Sequence, residues 1–137
     1  MTALLVDSHC HLDRLDLEPF GGSLDGALAA ARENGVEHML CVCIDMGNFP
    51  DVKAIAERYD NIYATVGVHP NEQSVDEPDV ARLVSLAHHP KVIGIGETGL
   101  DYFRSEGDVE WQRERFRTHI EAAKQTGKPL IIHSREA

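Results

Sequence analysis

The chain has 137 residues, 42% of them apolar, and a formal net charge of −10 at pH 7. This composition is typical of a globular domain and excludes a disordered chain. The acidic balance argues against a broad nucleic-acid-coating surface, because such surfaces carry an excess of Lys and Arg.

From the sequence we expect neither a membrane-spanning segment nor a secretory signal. No run of about 20 apolar residues could span a membrane, and no basic segment followed by an apolar stretch marks a secretory signal. The three cysteines, Cys10, Cys41 and Cys43, lie in apolar runs. We interpret them as reduced core residues, which favours a cytoplasmic location.

Five predicted strands alternate with four predicted helices. The first strand, 4–11, opens with three apolar residues and runs into a polar segment, and the others are apolar runs at 38–44, 62–68, 92–96 and 129–132. The helices follow Ser23, begin at Pro50 and at Pro78, and span 109–126, with apolar residues at helical spacing. In the last helix, we expect the basic run 113–117 to be a solvated face and His119 to be exposed or packed.

The rhythm of strands and helices indicates a barrel. Nearly continuous apolar strands are typical of a parallel sheet buried on both faces by helices. Strand starts recur about every 31 residues, so eight units would need about 250 residues, the usual length of a (β/α)8 barrel. We therefore expect 1–137 to be the N-terminal part of a single barrel domain, truncated after its fifth strand. An open doubly wound sheet is the alternative.

Residues able to bind a metal stand where four of the five predicted strands end. They are His9 and His11 on the first, His69 after the third, Glu97 after the fourth and His133 after the fifth. His9 and His11 share one face because side chains alternate along an extended chain. In barrels this edge of the strands carries the active site. The pattern predicts a metal site in which Glu97 bridges two cations.

Four motifs in this order resemble the TatD family of metal-dependent hydrolases. They are His-Cys-His-Leu-Asp at 9–13, Gly-Val-His-Pro at 67–70, Gly-Glu-Thr-Gly-Leu-Asp-Tyr at 96–102 and Ile-His-Ser-Arg-Glu-Ala at 132–137. The resemblance implies a (β/α)8 barrel that acts as a divalent-metal deoxyribonuclease or related phosphoesterase. It implies that His9 and His11 ligate one metal, Glu97 bridges and His133 ligates the second. A further His and an Asp of the family would lie beyond residue 137.

The remaining motif residues have supporting roles in this hypothesis. Glu97 and His69 are the catalytic candidates, and His69 and Arg135 are the candidates for contacting substrate. Asp101 and Tyr102 follow Glu97 and are expected to orient the metal ligands from behind. The two divalent cations would be Zn, Mg, Mn or Ni.

The expected activity is metal-dependent hydrolysis of a phosphodiester in DNA or a nucleotide by activated water. One alternative is hydrolysis of an amide, ester or lactone by the same ligand set. A second alternative is an inactive half-barrel that self-associates through the unpaired edges of its first and fifth strands. No stable protein partner is predicted.

Overall fold

The computed structural model describes residues 3–73 and 75–137. Strands and helices alternate within them, as the sequence predicts. The strands are β1 (Leu5–Cys10), β2 (Val36–Cys41), β3 (Ile62–Val66), β4 (Val92–Asp101) and β5 (Leu130–Arg135). The helices are α1 (Leu24–Glu33), α2 (Phe49–Arg58), α3 (Val80–Ala87) and α4 (Glu110–Thr126).

The five strands form one parallel sheet in sequential order, β1-β2-β3-β4-β5. A doubly wound sheet would reverse its strand order at a switch point. The order here runs in one direction from β1 to β5, as it does in a (β/α)8 barrel. The predicted half-barrel is therefore confirmed, and the doubly wound alternative is wrong.

Local capping explains where two of the helices begin. The hydroxyl of Ser23 accepts a hydrogen bond from the Gly26 backbone N–H at 3.1 Å, so α1 starts where the sequence predicts. The carboxylate of Asp79 accepts from the Arg82 N–H at 2.8 Å. Helix α3 consequently starts one residue after Asp79, and the predicted start at Pro78 is two residues early.

Burial differs between the middle and the edges of the sheet. The side chains of Ile62, Val66 and Ile95, on β3 and β4, are fully buried. Val6 on β1 is 66% exposed and Ile132 on β5 is 56% exposed. The prediction that all strands are buried on both faces is therefore wrong for β1 and β5. Within the described residues each of these strands has a neighbouring strand on one side only.

Helix α4 also differs from its sequence-based description. Arg115, which lies in the predicted solvated run, is only 5% exposed, and His119 is fully buried. Both side chains face the segment that follows β3, where polar backbone groups supply hydrogen-bond partners. Charge patterning alone does not reveal such partners, which is why the prediction for Arg115 is wrong.

The three cysteines are free thiols, as predicted. Cys41 and Cys43 are buried and Cys10 is half-buried. Burial raises the pKa of Cys41 to about 11, so its thiol stays protonated and unreactive near neutral pH. Among the residues described here, no helix combines the length and apolar character needed to cross a membrane.

A close approach of two backbones brings the functional segments together. A Cβ placed on Gly67 would lie 2.6 Å from the Cα of Gly96. Only glycine permits this contact between the segment after β3 and strand β4. His69 and Glu97, which follow these glycines closely, thus come to lie side by side.

Candidate metal centre

Glu97 lies at the centre of the predicted site. Its side chain is on β4, and the residue is only 7% exposed. The strand does not end there, because β4 continues to pair with β5 as far as Asp101 and Arg135. His133 likewise lies within β5. The sequence-based prediction therefore ended both strands too early and placed Glu97 and His133 after their strands, whereas they lie within them.

Four imidazole rings surround the Glu97 carboxylate. On one side, Nε2 of His9 donates a hydrogen bond to Oε2 at 3.2 Å, and Nε2 of His11 lies 4.0 Å from the same oxygen. On the other side, Nε2 of His69 lies 3.6 Å and Nδ1 of His133 lies 3.5 Å from Oε1. The two carboxylate oxygens thus face two separate histidine pairs, each of which could hold a cation with Glu97.

In His11 and His133, the ring nitrogen that points away from Glu97 is hydrogen-bonded. These hydrogen bonds determine which nitrogen of each ring carries the hydrogen. Nδ1 of His11 lies 2.9 Å from the carbonyl oxygen of Val42, so Nδ1–H donates and, in the neutral ring, the lone pair is on Nε2. Nε2 of His133 lies 2.8 Å from the Asp101 carboxylate, so Nε2–H donates and, in the neutral ring, the lone pair is on Nδ1. Both rings are therefore ready to ligate a metal.

His69 presents the opposite arrangement. Its Nδ1 accepts a hydrogen bond from the Asn71 backbone N–H at 3.0 Å, so the neutral ring carries its hydrogen on Nε2, which faces Glu97. Burial lowers the pKa of His69 to about 4 despite the opposing charge of Glu97, so the ring is neutral near pH 7. His69 thus offers a hydrogen-bond donor to the centre of the site.

Asp101 contacts the cluster through His133, whose Nε2 lies 2.8 Å from its carboxylate. Burial acts to raise its pKa, but hydrogen bonds from the Arg104 N–H, His133 and Asn71 outweigh burial and lower the pKa below its usual value. The carboxylate is therefore anionic and holds His133 in one orientation. The side-chain amide of Gln112 fixes the Asp101 backbone, accepting from its N–H at 2.8 Å and donating to its carbonyl at 3.0 Å.

Tyr102 and Arg135 lie outside the histidine cluster. The Tyr102 hydroxyl accepts from Nε of Arg113 at 3.0 Å, so its side chain engages α4. The predicted role of Tyr102 in orienting a metal ligand is not seen in these contacts. The Arg135 guanidinium lies 3.7 Å from the ring centroid of Phe103, and both side chains are exposed. Arg135 follows His133 by two residues and so shares its face of β5.

Sequence analysis missed Asn71. Its backbone N–H fixes the tautomer of His69, and its side-chain amide donates to Asp101 at 3.0 Å. Asn71 thus connects the two sides of the cluster. The signal in the sequence was its position two residues after His69, where backbone-to-ring hydrogen bonds form readily, but nothing indicated that its side chain would reach β4.

The donor set fits divalent metal ions. Imidazole nitrogen and carboxylate oxygen together are the ligands that proteins use for Zn, Ni and Mn. A buried carboxylate is costly unless cations or hydrogen bonds compensate it. His9, His11 and Glu97 could hold one cation, and Glu97 with His133 could hold another. In their neutral rings, His11 and His133 already direct a lone pair at Glu97, which suits both as ligands.

The chain was compared with known proteins. A model of the family described as "TatD related DNase" matches residues 6–137. The chain belongs to the TatD family. The TatD resemblance of the four motifs is therefore confirmed over residues 6–137.

Relatives and solved structures agree with this assignment. The chain is 38% identical over 133 residues to the metal-dependent hydrolase YcfH of Escherichia coli, covering 97% of this chain and 50% of YcfH. It is 36% identical to the metal-dependent hydrolase YabD of Bacillus subtilis, covering 98% of this chain and 52% of YabD. The chain therefore spans about half the length of the curated relatives it matches.

The half-barrel is also found in solved TatD structures. The crystal structure of the TatD homologue YjjV from Escherichia coli superposes with a TM-score of 0.86 at 31% identity, covering 99% of this chain and 52% of that one. A TatD family hydrolase from Entamoeba histolytica superposes with a TM-score of 0.77 at 26% identity, covering 99% of this chain and 51% of that one. Both confirm the TIM-barrel type.

Proposed function

We propose that this TatD protein hydrolyses phosphodiester bonds in DNA or nucleotides with the help of two divalent cations. The observation that carries the proposal is the Glu97 carboxylate, whose two oxygens face separate histidine pairs. The family description as related to DNases supports a phosphodiester substrate. The names of the relatives extend only to metal-dependent hydrolysis.

Each ligand in this proposal has a defined position. His9 and His11 would hold one cation with Oε2 of Glu97, and His133 would hold the second with Oε1. Bound divalent cations would withdraw negative charge from a phosphoryl group. They would also lower the pKa of a bound water to about 7, so that it could act as hydroxide at neutral pH. Further ligands would come from a His and an Asp beyond residue 137, as the TatD resemblance implies. The proposed hydrolytic activity is that of the whole protein.

Substrate contacts would come from His69 and Arg135. His69 is neutral and directs Nε2–H toward the centre of the site, so it can donate to a non-bridging phosphate oxygen without neutralising Glu97. Arg135 lies on the same face as His133 and its guanidinium is exposed, which suits a charge-assisted contact to phosphate. The free buried thiols support a cytoplasmic location.

Hydrolysis assays test the proposal directly. Protein dialysed against chelator and supplied with Mn²⁺, Zn²⁺ or Mg²⁺ would be assayed on an end-labelled single-stranded oligonucleotide, on bis(p-nitrophenyl) phosphate and on a lactone. We expect metal-dependent cleavage of the two phosphodiesters, lost in Glu97→Gln and retained in Glu121→Gln. Glu121 is the matched control because its carboxylate is exposed on α4. Cleavage of the lactone without cleavage of either phosphodiester would contradict the proposal.

A further inference from the structure

Two buried polar side chains of α4 contact the segment 67–72, which carries His69. Arg115 is 5% exposed and His119 is fully buried. Neither faces the carboxylate of Glu97, so neither belongs to the ligand set. A buried guanidinium is costly unless its hydrogen bonds are satisfied, and its partners therefore indicate what it holds in place.

His119 holds the backbone immediately before His69. Its Nδ1–H donates to the Arg115 carbonyl at 2.7 Å, which leaves Nε2 to accept from the Val68 N–H at 2.9 Å. Burial lowers the pKa of His119 to about 4, so the neutral acceptor form prevails near pH 7. The Val68 N–H is thereby satisfied in a fully buried position.

Arg115 holds the backbone on the other side of His69. Its Nη1 donates to the carbonyl oxygens of His69 and Glu72, each at 2.7 Å. Its Nε donates to the Glu77 carboxylate at 2.8 Å, which compensates the buried charge. The guanidinium carbon also lies 5.0 Å from the centroid of the Trp111 ring. Arg115 therefore has one fixed geometry.

We propose that Arg115 and His119 are positioning residues that hold the His69 ring against Glu97. Together they hold the backbone at the Val68 N–H before His69 and at the His69 carbonyl, while the Asn71 N–H fixes the His69 tautomer within the same segment. The meaning of this positioning for catalysis rests on the proposed function. The positioning itself is a property of the metal-free protein and can be measured without any substrate.

The test measures the tautomer of His69 by long-range proton–nitrogen NMR of the ¹⁵N-labelled protein without metal. In the unaltered protein we expect a single neutral tautomer with hydrogen on Nε2. His119→Leu removes the acceptor for the Val68 N–H, and Arg115→Met removes the donors while keeping an unbranched stem. In both variants we expect a mixture of tautomers at His69. Arg115→Met decides the question by itself where His119→Leu does not fold.

Two controls separate positioning from general destabilisation. Leu83→Ala truncates a fully buried side chain on α3, which packs on α4, and removes no polar contact; it should leave the His69 tautomer unchanged. His119→Gln keeps an acceptor and a donor and should restore the single tautomer. Unchanged His69 signals in the folded Arg115→Met variant, or the same mixture in Leu83→Ala, would overturn the proposal.

Activity gives an independent second readout. On a phosphodiester substrate, we expect Arg115→Met to lower kcat/KM about 10- to 100-fold and Leu83→Ala to leave it within about twofold at a temperature where both are folded. If no variant or unaltered protein cleaves phosphodiesters, the proposed function fails, whereas the NMR result still decides whether Arg115 and His119 position His69.

Discussion

Replacement of Glu97 by Gln should remove the stabilisation that a divalent cation gives to this protein. Both candidate clusters share this one carboxylate, and every other member of them is a neutral ligand. A ligand at 100 times its Kd stabilises the native state by about 2.7 kcal/mol. Unfolding entropy of about 2.1 cal/mol/K per residue gives about 0.29 kcal/mol/K for 137 residues. The expected rise in Tm is therefore about 9 °C.

The assay is thermal unfolding followed by circular dichroism, with Mn²⁺ or Zn²⁺ at 100 times the Kd measured for the unaltered protein. Glu97→Gln should gain less than about 2 °C under the same conditions, because neither cluster then retains an anionic ligand. Glu121→Gln, on the exposed face of α4, should gain the full shift. An equal rise in Tm for Glu97→Gln would refute the assignment of Glu97 as the shared ligand.

Three further predictions concern the surroundings of the centre. Asp101→Asn should weaken metal binding about 10- to 100-fold in titration calorimetry, because His133 loses its anionic partner; unchanged affinity would show that Asp101 does not support the ligand. Burial holds the pKa of His119 at about 4 in the folded state, whereas it is about 6.5 in the unfolded chain. Between pH 4 and 6.5 the unfolded chain therefore binds more protons than the folded protein. Stability to urea should therefore fall by up to about 3 kcal/mol as the pH drops from 6.5 to 4, and less steeply in His119→Gln; equal slopes would contradict this. Gly67→Ala should destabilise the protein by about 1–3 kcal/mol, because its Cβ would lie 2.6 Å from the Gly96 Cα, and an unchanged urea midpoint would contradict the close approach.

Much of the fold could be predicted because the sequence carries local signals for it. Apolar runs separated by helical periodicity identify five strands and four helices, and their spacing indicates a barrel. The site was predictable for a related reason. Parallel strands bring their carboxyl ends to one edge, so His9, His11, Glu97 and His133 had to converge once the topology was known.

The features that could not be predicted depend on contacts between distant segments. The length of β4 beyond Glu97 depends on pairing with β5, which periodicity does not report. The sequence predicts a solvated side chain for Arg115, because the carbonyl groups that it binds are far away along the chain. The side-chain contact of Asn71 could not be predicted for the same reason, because it reaches Asp101, 30 residues farther along the chain.

The central claim is that Glu97 is a metal ligand shared between one site with His9 and His11 and a second site with His133. The most direct measurement is an anomalous difference map from crystals soaked in Mn²⁺ or Zn²⁺, collected above the absorption edge of the metal. We predict a peak about 2.1 Å from Oε2 of Glu97 and within ligand distance of His9 and His11. A peak remote from Glu97, or no peak near it at a metal concentration that raises the Tm, would contradict the account.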